Sequence, residues 1–398
     1  MEGEVPVMKN ARLIPDTPTL YPSMLLGRTR AQRLPPFAGG DVHWYFLARN
    51  AIVEACRLLD LGGGEILMPA YHHGVEVEAV AAAGALPVFY QVDAHWQVDL
   101  ADLERRIGPN TRALYLIHYA GFPGPAVRMR QLANEYGVSL IEDCALSLLS
   151  TDGTFDLGAR GDVSIFCLYK SLPVPNGGAL KFNKPRHGTC KKLRSPPMAT
   201  VLSLTLSSML LNLEMRAGAV GSLLRAAIRR LAHGVVDITR IERVAVGTMH
   251  FNPEHADLGI SPLTLSIARR QSMDTIVATR RRNYLMLLER LDGLSPSLFD
   301  RLDPGVCPLF YPLWVNDKPA MLKRLEGRGI RAIDFWGEHH PSCDPVEFPE
   351  AMRARRHILE IPCHQDLSPA TMDWIADEVK LALRASEPEM DPAAVAHG

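Results

Sequence analysis

The sequence predicts an α/β protein, with a large domain built on a mostly parallel sheet flanked by crossover helices and a smaller α+β unit after it. Three observations carry this. Between about residues 45 and 185, short apolar runs alternate with stretches of helical pattern. Several of those runs are apolar at consecutive positions, as strands covered on both faces are. After about residue 255 the alternation stops and a long helical stretch is followed by more widely spaced runs.

The strand candidates, in order, are Glu65 to Pro69, Leu86 to Val92, Ala113 to His118, Ser139 to Asp143, Val163 to Leu168 and Ala179 to Phe182. Helical stretches at Asn50 to Leu59, Val75 to Ala83, Leu100 to Ile107 and Ala126 to Tyr136 lie between them, each followed by a stop signal such as glycine. From Ser195 to Leu213 the chain carries no charge, but Pro196, Pro197, Asn212 and six Ser or Thr interrupt it, which makes a poor membrane span. Next, Leu223, Leu224, Ile228 and Leu231 face away from Arg225, Arg229 and Arg230 in a basic amphipathic helix. A cover for a core or a dimer face is the favoured reading of the atypical segment 195–243, with membrane-surface contact through 198–232 as the alternative. Beyond it come a long helix (Leu263 to Leu291), a strand (Leu309 to Val315), a helix (Pro319 to Gly327), a strand-like run (Ile330 to Phe335) and a terminal helix (Pro369 to Ala385). The expected division is an N-terminal arm over 1–40, a large domain over 41–250 and a small domain over 251–398, with a loose tail from Ser386.

Composition narrows the function. Forty-three Lys and Arg against 44 Asp and Glu leave a net charge of −1, so no overall field recruits nucleic acid. The seven cysteines are scattered, with no CxxC and no other metal-ligand spacing. A reducing cytoplasmic compartment is expected, and the acidic residues in MEGEVPVMKN are unlike an export signal.

Lys170 closes the apolar run in DVSIFCLYKSLPVPNGG, which places its amine at the carboxyl end of a strand, where open α/β sheets bind ligands. Asp143 ends the preceding strand in SLIEDCA. A carboxylate there wants a cationic partner, which the protonated ring nitrogen of pyridoxal phosphate would be, with Lys170 as the Schiff-base lysine; the competing role for Asp143 is a helix N-cap. Arg49 and Asn50 open the first helix, where free backbone amides and a guanidinium suit a phosphate. Cys167 lies three residues before Lys170 and could reach the same phosphate or sit in the core. PAYHHG brings His72 and His73 to the same edge, where one imidazole could stack on a flat ring.

Taken in order, ARNAIVEACRLLDLGGGEILMPAYHHG, AAAGALPVFYQVD, GPNTRALYLIHYAGFPGPA, LANEYGVSLIEDCA, GARGDVSIFCLYK and NGGAL resemble the DegT/StrS family of pyridoxal phosphate-dependent aminotransferases. ILEIPCHQDLS is similar to that family's Leu-Pro-x-His segment. The resemblance implies a fold-type I architecture, with an α/β/α large domain on a mixed, mostly parallel sheet and a small C-terminal α+β domain. It implies pyridoxal 5'-phosphate as cofactor, Lys170 as the lysine that holds it and moves the proton, Asp143 as partner of the ring nitrogen, and His73 in place of the stacking aromatic. Arg49 and Asn50 stand in the phosphate region, and Asn252 in HFNPEH matches an asparagine that reaches the neighbouring subunit's phosphate, so a homodimer is implied. The small-molecule partners would be an amino donor such as glutamate and a carbonyl acceptor.

Two departures stand out. Leu146 replaces the family's usual Gln or His, and Cys167 replaces its phosphate-binding serine. The resemblance implies a keto or aldehyde acceptor, a nucleotide sugar or related biosynthetic intermediate. Yet the stretch from Phe166 to Lys170 is two residues shorter than in common sugar aminotransferases, which points to a specialised subgroup whose substrate need not be a nucleotide sugar. Retention of Lys170 argues against the family's dehydratases, which carry histidine there. The alternatives are a catalytically impaired homologue acting as a structural or regulatory partner, and another reaction of the same cofactor such as elimination or decarboxylation. Trp336, His339, His340 and His364 are candidate pocket residues of the small domain.

Overall fold

The first sheet runs β1 Asp41–Tyr45, β2 Glu65–Pro69, β3 Leu86–Tyr90, β4 Thr111–Ile117, β5 Ser139–Cys144, β6 Val163–Cys167 and β7 Gly178–Phe182, in spatial order β1-β7-β6-β5-β4-β2-β3. β2 to β6 pair in parallel, and β7 runs antiparallel between β6 and β1. Its helices are α1 Ala48–Leu58, α2 Val75–Ala82, α3 Leu100–Arg106, α4 Ala126–Glu135 and the single turn α5 Leu168–Ser171. The computed structural model describes residues 13–26, 34, 36–37, 40–184, 188–236 and 251–385, with backbone alone for 227–236.

Central strands β5 and β6 are buried along almost their whole length, which is why their sequences run apolar without alternation. Leu140, Ile141, Val163 and Ile165 expose none of their surface, and each such side chain contributes about 1.5–3 kcal/mol by leaving water. Gly178 has a specific reason to be glycine. A Cβ there would sit 2.5 Å from Ala48 N and Leu47 C, so only a bare backbone lets β7 pass the start of α1.

A long helix follows, α6 Met198–Val236, broken by non-helical angles at Gly218. Its chain folds back there, since a Cβ on Gly221 would meet Glu214 Cα at 2.6 Å and Arg225 pairs with Glu214. The uncharged stretch is therefore helical in spite of its Ser and Thr. Val201, Leu210 and Met215 are buried, while Leu202, Leu206, Leu223 and Leu224 stay exposed. By length and composition Met198–Ala226 is apolar enough to cross a membrane, with 33% of its most apolar window buried in the fold. The Arg229 and Arg230 side chains, residues 237–243 and the tail from Ser386 lie outside the described residues.

The C-terminal part holds α7 Pro262–Ala268, α8 Met273–Leu291, β8 Phe310–Trp314, α9 Lys318–Gly327, β9 Ile333–Asp334, α10 Pro349–His357, β10 Ile358–Pro362 and α11 Pro369–Arg384. Its sheet is antiparallel in the order β8-β10-β9. The stretch expected as one helix from 263 to 291 is two: Ile267 and Ala268 pack with Phe166 and Leu168, whereas Leu287 and Leu291 belong to the other core. Residues 13–26 cross this part. Ile14 bonds to Gly329 and Arg331, Thr19 to Asp366, and Leu20 to Ser208 of α6.

Candidate active site

The carboxyl ends of β2, β4, β5 and β6 open onto a cavity of about 320 Å³, the size of a small-molecule site. Its floor and sides include Ala48, Arg49, His73, Glu76, Ile117, Asp143, Leu146, Cys167 and Lys170, and the small domain and arm close it with Trp336, Glu360 and Asp16.

Lys170 sits in α5, directly after β6, with its side chain half-buried and in no hydrogen bond or ion pair among the described residues. The α5 turn is braced from the small domain. Gln365 Nε2 donates to Ser171 O at 2.9 Å, and Arg280 Nε donates to Gln365 Oε1 at 2.8 Å while Nη1 reaches Leu309 O at 2.7 Å. This is the work of the HQDLS segment. His364 serves it differently, bonding to Pro15 O at 3.0 Å and holding the arm.

Strand alternation sends the adjacent carboxylates Glu142 and Asp143 to opposite faces. Glu142 accepts from His118 Nε2 at 3.0 Å, from Arg160 N at 2.7 Å and from Gly161 N, and against burial these bonds hold its carboxyl below the ordinary range. Asp143 faces the cavity. Ala145 N donates to Oδ1 at 2.8 Å and Tyr115 Oη to Oδ2 at 2.7 Å, yet burial still pushes the carboxyl up. It caps a turn rather than a helix, because the chain after β5 goes into turns.

His73 lies in the cavity, with its ring edge toward Trp336 at 6.1 Å. Burial, then the charges of Lys170 and Arg49, push it down to about 3, so it is a neutral imidazole at neutral pH. His72 is structural: Nδ1–H donates to Pro69 O at 3.0 Å and Nε2 accepts from His340 N at 3.1 Å. Glu76 accepts from His73 N at 2.8 Å, and burial and then Asp143 push it up to about 7. Arg355 fixes this segment from the small domain, donating to Ala70 O and His72 O at 2.9 Å each and to Trp336 O at 2.7 Å.

The N-terminus of α1 has no side-chain cap, and Ala48 and Arg49 line the cavity there. Backbone amides at a helix N-terminus, together with a guanidinium, suit an anion. Asn50 turns the other way and donates to His255 O at 2.7 Å. Asn252 is exposed and caps the short turn Pro253–His255 through Glu254 N, away from the cavity lining. The structure thus brings together Lys170, Asp143, His73, Arg49 and Cys167, and leaves Asn50 and Asn252 outside the lining. Tyr115, Glu76, Glu360 and Asp16 did not stand out in the sequence. A buried-type strand with one polar tip, as in ALYLIH, was the only signal for Tyr115.

The chain is similar in sequence and fold to known aminotransferases. Residues 48–216 match the family model described as the DegT/DnrJ/EryC1/StrS aminotransferase family. The dTDP-4-dehydro-2,3,6-trideoxy-D-glucose 4-aminotransferase of Saccharopolyspora spinosa is 25% identical over 84% of this chain and 82% of its own. GDP-perosamine synthase of Vibrio cholerae is 31% identical, over 29% of this chain and 32% of its own. Among solved structures, the PLP form of the Streptococcus pneumoniae sugar aminotransferase Spr1654 superposes with a TM-score of 0.70 at 15% identity, covering 94% of this chain and 100% of that one, a likeness of fold.

Proposed function

We propose, on the premise that residues 48–216 belong to the DegT/DnrJ/EryC1/StrS aminotransferase family, that this chain is a pyridoxal phosphate-dependent aminotransferase that aminates a nucleotide-linked keto sugar. The observation that carries the reading is one cavity in which Lys170 and the buried Asp143, on neighbouring strand ends, face an uncapped helix N-terminus beside Arg49.

The residues fit the cofactor. His73 Nδ1 is a buried polar atom with no partner among the described residues, which a ligand in the cavity would satisfy. A buried carboxylate held by two donors matches a protonated ring nitrogen, and Arg49 with the α1 amides matches a phosphate. Bound there, pyridoxal phosphate supplies an electron-withdrawing ring that acidifies the carbon bearing the amino group. Lys170 Nζ would hold the cofactor at rest and, once freed, would serve as the base that takes and returns a proton. Asp143 would keep the ring nitrogen protonated, and the neutral imidazole of His73 would be placed to pack against the ring. Ile117 and Leu146 present an apolar wall that limits water. Cys167 offers only a weak thiol donor at the phosphate end, so Arg49 carries more of that contact.

We place the enzyme in the cytoplasm as a homodimer. Seven scattered cysteines with no CxxC spacing support the compartment, and the family resemblance supports the dimer. The test is a half-reaction. Glutamate added to the cofactor-loaded protein should convert the lysine-bound form to the amine form with one equivalent of 2-oxoglutarate, and a Lys170→Ala variant should not turn over. Cofactor retention without any conversion by a panel of amino donors would favour an impaired homologue in which Leu146 and Cys167 have removed needed contacts.

A further inference from the structure

We propose that Tyr115 is a positioning residue for the cofactor: its phenol holds Asp143 in the ionised form that keeps the ring nitrogen protonated. This rests on the aminotransferase reading and adds a residue to it. In the parallel pair β4 and β5, Ile117 stands opposite Asp143, so alternation puts Tyr115, two residues earlier, on the same face as both. From there Tyr115 Oη donates to Asp143 Oδ2 at 2.7 Å. Neither partner has room to move, since Tyr115 is fully buried and Asp143 is 8% exposed. Tyr115 O in turn accepts from Tyr90 Oη at 2.8 Å, which braces the strand from its other neighbourhood.

The contact answers a physical need. Burial works against the charge Asp143 must carry, and Leu146 offers no polar group from the cavity wall. Among the described residues Tyr115 is the only side chain that donates to Asp143. Burial also keeps the phenol protonated, so it remains a donor throughout the working pH range. A hydrogen bond to a charged acceptor is stronger than one to a neutral acceptor by enough to bias a shared proton about tenfold. Losing the phenol should therefore move the proton from the ring nitrogen toward Asp143 by about that factor.

The experiment loads wild type and Tyr115→Phe with pyridoxal phosphate labelled with nitrogen-15 in the ring and records the ring-nitrogen resonance and the cofactor Kd. Wild type should show a protonated ring. Tyr115→Phe should shift toward the neutral-ring position and raise the Kd up to about tenfold, with the unloaded protein still folded by thermal melting. In an Asp143→Asn background the same substitution should add nothing, whereas a merely structural role would add its full effect there. Should Tyr115→Phe not fold, 3-fluorotyrosine at this position, a stronger donor of nearly the same shape, should move the resonance the other way. An unchanged resonance and Kd in Tyr115→Phe, with wild type binding normally, overturns this proposal alone. Wild type that takes up no cofactor overturns the aminotransferase reading as well.

Discussion

Replacing Arg355 by Met should cost the protein on the order of 3–5 kcal/mol. The guanidinium is 3% exposed and donates to four carbonyls, of Ala70, His72, Trp336 and Glu338, while lying 5.1 Å from the Tyr71 ring. It thereby ties the loop after β2, which carries His73, to the small domain. Met keeps the length and the apolar contact but has no donor. Leaving a buried carbonyl unpaired costs about 1–3 kcal/mol, and entering water would rescue some of the four. Burial lowers the Arg355 pKa, so the charge itself is costly, and removing it returns part of the loss. Urea unfolding of the cofactor-free protein should show the midpoint falling with little change in slope. A loss below about 1 kcal/mol would refute the view that the bonds to Ala70 and His72 hold the two domains around the cavity while those to Trp336 and Glu338 brace the small domain.

Three further outcomes follow from the same geometry. Gly178→Ala should destabilise the fold by about 1–3 kcal/mol and weaken pyridoxal phosphate binding, because a Cβ would meet Ala48 N and Leu47 C at 2.5 Å; calorimetry with and without cofactor reads both. Glu76 is raised from an ordinary 4.5 to about 7, so the native state binds its proton more tightly and the associated stability is lost as pH rises from about 4.5 through about 7. Glu76→Gln, which keeps an acceptor for His73 N, should flatten that decline and exceed wild type at pH 8 by about 3 kcal/mol in pH-dependent urea melts. His73→Ala should weaken cofactor binding roughly tenfold while His73→Phe largely retains it, since stacking is worth about 0.5–1.5 kcal/mol; equal losses in a spectroscopic titration would refute the stacking role.

Much of the large domain was legible because its strands are buried on both faces and leave unbroken apolar runs bounded by glycine. β1 was missed for the opposite reason: DVHWY lies at the sheet edge, and Asp41 and His43 break the pattern. The break between α7 and α8 has no Gly or Pro to announce it: Met273 and Ile276 of α8 still share the core of Ile267 and Ala268, and only further along, at Leu287 and Leu291, does α8 reach the other core. α10 is rich in arginine and reads as a solvated stretch, yet Arg355 is its buried anchor. At the site, Lys170 and Asp143 could be found because each ends an apolar strand with a charge. Tyr115 could not, because an aromatic inside a strand reads as core, and only the register of β4 against β5 shows what its hydroxyl touches. Asn50 and Asn252 were placed by position along the chain, and side-chain direction took them elsewhere, to His255 O and to a turn.

The central claim is that Lys170 carries the cofactor, and peptide mapping after borohydride reduction tests it most directly. Purified protein loaded with pyridoxal phosphate, reduced and digested, should give one modified peptide, with the reduced adduct on Lys170. An adduct on other lysines only, or a protein that binds no cofactor at all, would contradict the account.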